Sequence, residues 1–425
     1  MYVVSIDAGV FRTYALDIGS GIGLPSWPVA IDPAAVEPVN ANGPQTFESA
    51  TTISQRGALN LSPAGDLLYV PFGAYSDGGV GFVVAVDTRN ARVASSFAGA
   101  SASTPLPSTG HWIGGMWSPG GVSVDANGAV YTTVGNSPTS VLEAPGVWGQ
   151  SVLRWSPTLQ LTGTYTPFNY HLMDIADTDL AGSSAIVLPD LDPATTSTPH
   201  LLAFGGKQGN VYLLDRDHLP GRLVQRPPAD GGSAMDPSLI PPGPQVAYGG
   251  RPGPLNVFGP YSEVYGNFDH AKMRTTPAYF RAADGTIYLY VTGATKAAVD
   301  SQQSVPPCVV RLRLVLAAGA PAYLVVDGAE PSLAFVNPGT PIVTSNGPDG
   351  PIVWMFDGNA RRVASLTDPA APHPILYAVD GTTMTVLWQS APNELYVGGK
   401  YGAPTAAHGM VFVATDRIQA YGLRP

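Results

Sequence analysis

The sequence predicts an all-β fold built by repeating one unit, and three observations predict it. The 425 residues include 49 Gly and 42 Pro beside many Val, Thr and Tyr, a composition poor in helix formers and rich in turn formers. Apolar residues alternate with period two in short runs bounded by Gly, Pro, Asn or Asp, as in hairpin-linked strands, and no stretch shows the 3.6-residue periodicity of a helical solenoid. An Ala-x-Asp step closes several of these runs: Ala15 and Asp17 in TYALDIGSGIGLPSW, Ala85 and Asp87 in GFVVAVDT, Ala378 and Asp380 in ILYAVDGTTMTVLW, with Leu213 and Asp215 in NVYLLDRD as a variant.

The copies follow one another along the chain. MYVVSID opens the first, reading as a strand and not as a signal peptide; this copy lacks a first strand. RGALNLSPAGDLLYVPFGAYSDGGVGFVVAVDT is the second, and GGVSVDANGAVYTTVGNS with GQSVLRWS the third, without the Asp. SSAIVLPDLD with HLLAFGGKQGNVYLLDRDHL is the fourth, TTPAYFRAADGTIYLYVTG with VVRLRL the fifth, and GTPIVTSNGPDGPIVWMFDG with ILYAVD the sixth. GAPTAAHGMVFVATDRIQAYGL is the last and lacks a final strand. One such sheet cannot bury both faces, whereas units of about 50 residues stacked radially can, which is a β-propeller; a β-sandwich is the plain alternative. The reading is a single domain over 1–425 with seven blades. Six or eight are the alternatives, because a Pro- and Gly-rich excursion at 227–268, with PPADGGSAMDPSLIPPGP, has room for further strands. The two incomplete copies, 1–31 and 401–425, are read as neighbouring blades and the weakest part of the ring. Within the repeat, the Ala packs between sheets, the Asp holds the following turn through backbone N–H groups, and a Trp (Trp27, Trp388) covers the adjacent sheet.

Composition also excludes function classes. A net charge of −10 and a pI near 5.0 argue against nucleic acid or an anionic membrane surface as partner. No run of about 18 apolar residues forms a membrane helix. One cysteine, Cys308, rules out an internal disulfide, a CxxCH haem attachment and a multi-Cys metal site, and is read as a small buried hydrophobe. There is no GxSxG elbow, HExxH or Walker A motif.

ILYAVDGTTMTVLW resembles the repeat of pyrroloquinoline-quinone-like (quinoprotein alcohol dehydrogenase-like) propellers. WSPGGVSVDANGAVYTTVGNS, YTPFN, DTDLAGSSAIVLPD, GGKQGNVYLLDRDHL and GGKYGAPTAAHGMVFVATD are similar to successive landmarks of bacterial extracytoplasmic members. The resemblance implies a periplasmic or secreted propeller and, in the family's dehydrogenases, a bound quinone with a divalent cation. Those enzymes commonly carry an adjacent Cys pair, and many add a haem domain; a chain with one Cys departs from that pattern, which counts against quinone and haem.

Polar residues cluster just before the first strand of successive copies, where a propeller places them around one mouth of its axial channel. These lead-in segments carry Arg56, then His111, Trp112 and Trp117, then Asp174, Asp177 and Asp179. Further along they carry Asp269, His270, Lys272 and Arg274, then Asn337, then Lys400 and Tyr401. His171, Asp174, Asp177 and Asp179 form an oxygen-rich set suited to Ca²⁺ or a similar cation, against the plainer reading of a loop ordered by Asx turns. Asp177, His270, Lys272 and Arg274 are the candidate catalytic residues, the two cations stabilising developing negative charge. Arg56, His111, Trp112, Trp117, Asn337, Lys400 and Tyr401 are candidate substrate contacts, while Lys207 in GGKQG reads as framework. Three functions fit. One is a propeller binding a small anionic ligand; another is a metal-assisted hydrolase of phosphate, sulfate or other activated esters; the third is a quinoprotein alcohol dehydrogenase.

Overall fold

The computed structural model describes residues 1–425 apart from 41, 49, 51, 75–77, 105–110, 230–253, 259–272, 294–307, 360–369, 397–401 and 423–425. Contacts divide the chain into two compact units. Unit 1 comprises Met1–Val187, Asp217–Ala234 and Tyr248–Pro252; unit 2 comprises Leu188–Arg216, Met235–Ala247 and Gly253–Pro425.

Unit 1 opens with a three-stranded antiparallel sheet (Tyr2–Asp7, Val10–Ala15, Val29–Ile31). A second sheet follows, in which Ile53–Ser54 and Asn60–Leu61 both pair with Leu67–Ala74, and this strand leads on through Phe82–Asp87 to Arg92–Ala98. A four-stranded sheet (Ser123–Val124, Val130–Thr133, Val152–Trp155, Leu161–Tyr165) comes next, and Ile186–Val187 ends the main segment. The first strands Asn60–Leu61, Ser123–Val124 and Ile186–Val187 lie side by side. Each strand beside the next in sequence, with first strands adjacent between sheets, is the blade order of a β-propeller.

Unit 2 repeats the pattern. Leu201–Phe204, Val211–Asp215 and Asn256–Phe258 pair in order, the last being a strand inside the 227–268 excursion. Two four-stranded sheets follow, Ala278–Arg281 to Tyr323–Glu330 and Ile342–Asn346 to Val386–Gln389. The unit closes on three strands, Thr405–Ala407, Met410–Ala414 and Ile418–Gly422. Here too the first strands Ala278–Arg281, Ile342–Asn346 and Thr405–Ala407 are neighbours. Both terminal copies thus have three strands, as their sequences predict.

Central strands are apolar on both sides because sheets cover both of their faces: Phe82 to Val86 are all fully buried. Phe11, Phe47, Phe72 and Phe82 meet edge-on or tilted in unit 1, with centroids 4.9–6.5 Å apart, geometry that suits the ring quadrupole. Cys308 lies in the unit 2 core beside Phe335 and Tyr377, its Sγ accepting the Phe335 N–H at 3.0 Å.

The Ala-x-Asp step does what its chemistry predicts. Ala15, Ala85 and Ala378 are buried. Asp87 Oδ1 accepts the N–H groups of Arg89 and Asn90, Asp380 Oδ1 those of Thr382 and Thr383, and Asp17 Oδ1 that of Ser20. Trp388 reaches Tyr421 of the following sheet, centroids 5.4 Å apart. Trp27 differs from expectation: it stands on Tyr2 of its own sheet, also at 5.4 Å. Two features escape period-two reading altogether. HLMDIADTDLAG, expected as a loop, begins inside a short helix, Tyr170–Ile175, and His111–Ile113 forms a parallel pair with Gly78–Val80.

Candidate functional site

Antiparallel order fixes which segments share one end of a sheet. The chain enters the first strand at the end to which the second strand returns, so the loop between second and third strands joins the lead-in segments. In four sheets a glycine lies within two residues of the end of the second strand: Gly73, Gly135, Gly205 and Gly358. Each is a seat for a lead-in side chain. A Cβ on Gly73 would lie 2.8 Å from Trp117 Cβ, and one on Gly135 would lie 2.8 Å from Trp117 Nε1; one on Gly358 would lie 3.0 Å from Asn337 Nδ2, and one on Gly205 would collide with the end of Met273. Only glycine lets these side chains approach the backbone so closely.

In unit 1, Trp117 is wedged between Gly73 and Gly135, with the Arg56 guanidinium 4.5 Å over its ring. The nearby carboxylates are engaged by the frame. Asp179 Oδ1 accepts the Asn136 N–H at 2.8 Å, and Asp177, in the left-handed region at φ +52°, accepts Asn136 Nδ2 at 3.3 Å. Asp174, on the Tyr170–Ile175 helix with His171, accepts the Ser137 N–H at 3.0 Å and faces Arg226 Nη1 at 3.4 Å, both side chains being fully enclosed. Arg226 also donates to the carbonyls of Gly149 and Val141 and lies 4.4 Å over the Tyr170 ring. Burial pushes the Asp174 carboxyl up to about 7, against the lowering effect of Arg226 and the hydrogen bonds. Gln150 closes the layer, its Oε1 accepting the Leu180 N–H at 2.9 Å.

Among the described residues no three His, Cys, Asp or Glu side chains form a group that could hold a metal ion.

In unit 2 the same layer is cationic. Arg274 and Lys207 are 8% and 5% exposed. Met273 packs on Gly205, which brings the segment leading into Ala278–Arg281 against the Gly205–Asn210 loop. Arg274 Nη1 lies 3.4 Å from Asn337 Oδ1. Asn337 is held in turn by Asp357, whose carboxylate accepts the N–H groups of Asn337 (2.7 Å), Val336 (3.1 Å) and Asn359 (3.1 Å). Burial raises the Asp357 pKa, and these three N–H groups oppose the rise. Thr292 Oγ1 donates to the Gly339 carbonyl and the Thr276 N–H to Thr340 Oγ1, tying successive lead-in segments together.

Of the residues singled out from sequence, Arg56 and Trp117 meet in unit 1, where Asp177 and Asp179 accept from Asn136 and Asp174 from Ser137, and Arg274 and Asn337 meet in unit 2. Asp269, His270, Lys272, Lys400 and Tyr401 lie outside the described residues, as do the side chains of His111 and Trp112. Lys207, read as framework, and Gln208, Asn210 and Asp357, not singled out, belong to the layer. The signal for them is the antiparallel order itself, since GGKQGN spans a loop between second and third strands.

No protein-family model and no curated protein matches the chain. Among solved structures it is similar to the quinohemoprotein alcohol dehydrogenase of Pseudomonas putida HK5, at 14% identity and a TM-score of 0.48, over 96% of this chain and 61% of that one. It is also similar to the quinohemoprotein alcohol dehydrogenase of Comamonas testosteroni, at 13% identity and a TM-score of 0.46, over 97% of this chain and 70% of that one. A third is Saccharomyces cerevisiae Sqt1, at 9% and 0.44, over 100% and 82%. The chain thus spans less than two thirds of the first of these neighbours. The assignment of propeller blades rests on the strand order given above.

Proposed function

We propose that the chain is a small-molecule-binding β-propeller protein whose ligand is anionic and sits among the lead-in segments of unit 2. The observation that carries this reading is the burial of two cationic side chains, Lys207 and Arg274, on segments that touch through Gly205 and Met273. In an enclosed layer water screens charge little, so a cation held there attracts a bound anion strongly. A planar guanidinium takes a carboxylate or phosphate through two parallel hydrogen bonds, and an ammonium adds a point charge. Asn337, fixed by Asp357, accepts a hydrogen bond from the guanidinium. The hydrolase and dehydrogenase readings both need carboxylates disposed around a cation; the Asp carboxylates of unit 1 are instead engaged by Arg226, Asn136 and backbone N–H groups, which favours binding.

Calorimetric titration with butyrate, oxalate and inorganic phosphate tests it. At least one of these anions should bind the wild type, and Arg274→Ala and Lys207→Met should each weaken it tenfold or more while the variants stay folded. Binding of none of the three, or affinities unchanged in both variants, overturns the reading.

A further inference from the structure

Residues 217–229 belong to unit 1 although they are remote in sequence from its main segment, and they lie on it as a strap. Hydrogen bonds spaced along the strap hold it down. The Gly221 N–H donates to the Thr164 carbonyl at 2.7 Å, Thr164 Oγ1 to the Arg222 carbonyl at 2.8 Å, and the Gly146 N–H to the Val224 carbonyl at 2.7 Å. Further on, the Tyr170 hydroxyl donates to the Pro227 carbonyl at 2.8 Å, and the Ala229 N–H to Glu143 Oε1 at 2.9 Å. Within 217–229 only Arg226 is buried, while Leu223 and Val224 are 43% and 55% exposed. A segment that buries so little apolar surface opens locally at low cost while the rest of the fold stays shut.

Arg226 enters a guanidinium site built wholly from residues outside the strap. Its Nη1 faces the Gly149 carbonyl at 3.0 Å and Asp174 Oδ2 at 3.4 Å, its Nη2 faces the Val141 carbonyl at 3.4 Å, and its Cζ lies 4.4 Å over the Tyr170 ring. A carboxylate, two carbonyls and a ring face together suit a flat, delocalised cation better than an ammonium. The strap's own arginine fits the site incompletely. Its Nε is enclosed and meets no acceptor among the described residues, which weighs against the closed state.

We infer that the strap is releasable and that the site beneath Arg226 binds guanidinium groups, the strap occupying it as a tethered ligand that a free guanidinium displaces. This goes beyond the anion-binding reading and does not depend on it. Tethering gives Arg226 an effective concentration on the order of millimolar, so a free guanidinium binds the wild type weakly and binds well where Arg226 is removed.

Methylguanidinium is the first probe, with methylammonium as a cation that lacks the plane. Calorimetric titration of Arg226→Ala should show methylguanidinium binding at least tenfold more tightly than methylammonium, and at least tenfold more tightly than it binds the wild type. Adding Asp174→Asn to that variant should abolish the binding. The peptide Val-Gln-Arg-Pro-Pro, a copy of residues 224–228, separates two sources of the group: tighter binding than methylguanidinium assigns the site to an arginine side chain of a polypeptide, and equal binding to a small guanidinium compound. Methylguanidinium and methylammonium binding alike, or binding that survives Asp174→Asn, overturns the guanidinium site. Release is read in the wild type, which also decides the matter where Arg226→Ala does not fold. Thermolysin cleavage on the amino side of Leu223, located by mass, should quicken at least threefold with methylguanidinium below denaturing concentrations and not with methylammonium at equal ionic strength. A rate unchanged by methylguanidinium, or quickened equally at cleavage sites outside the strap, overturns the releasable strap.

Discussion

Units 1 and 2 share a strand order and a glycine seat after the second strand, and they fill the seat to different ends. In unit 1 the seated residue is Trp117, held from two sides by Gly73 and Gly135, and the residue after it is Ser118, whose hydroxyl turns back to the Gly121 carbonyl. In unit 2 the seated residue is Met273, and the residue after it is the buried Arg274. The acidic side chains of unit 1 are answered by an internal arginine and by backbone N–H groups, whereas unit 2 buries Lys207 and Arg274. One repeated position therefore serves packing in both units, while its flanking residue differs between them.

The comparison breaks most readily at Arg226. Arg226→Met leaves the Asp174 carboxylate buried without its cation, and loss of one partner of a buried pair costs about 3–5 kcal/mol; urea unfolding should show this, and the double variant with Asp174→Asn should recover most of it. Arg274→Met should cost far less stability. An equal loss there would make the cations of unit 2 as structural as that of unit 1. The seats come next. Gly73→Ala drives a Cβ into the immobile base of Trp117, and overpacking of this kind costs about 1–3 kcal/mol, while Gly205→Ala meets the flexible end of Met273 and should shift the unfolding midpoint less.

A smaller, pH-dependent effect belongs to unit 1. Burial holds the Asp174 pKa at about 7 in the folded chain against 3.8 for an unburied aspartate, so between these values the folded state binds a proton that the unfolded state does not. Stability from this group is greatest below pH 4 and declines as pH rises through 7; Asp174→Asn should flatten that part of a stability–pH curve. The smallest effect is expected at Arg56, exposed above Trp117. Arg56→Ala removes a surface cation–π contact of about 0.5–1 kcal/mol and should leave anion binding in unit 2 unchanged.

Much of the fold is legible because it obeys a period of two. The runs ending at Asp87, Asp215 and Asp380 and the hairpins at Gly65, Gly128 and Gly285 are strands and turns as read, the glycines taking φ +69°, +84° and +85°. Outer strands such as Arg92–Ala98 and Tyr323–Glu330 are harder, because they are partly exposed and their alternation is diluted by polar residues. The Tyr170–Ile175 helix is too short to show a helical period. The site is legible where a charged residue precedes a first strand, as at Asp179 and Arg274. It is obscured where the partner is remote in sequence: Arg226 lies 52 residues from Asp174, and nothing in GGKQGN marks Lys207 and Asn210 as buried without the strand order that encloses them.

Cys308 has a practical consequence. As the chain's single thiol, enclosed in the unit 2 core with its sulfur accepting the Phe335 N–H, it is shielded from alkylating reagents for as long as that core stays shut. The rate at which a maleimide labels the native protein is therefore a stopwatch for the opening of unit 2 alone, with no reporter to be engineered and no contribution from unit 1.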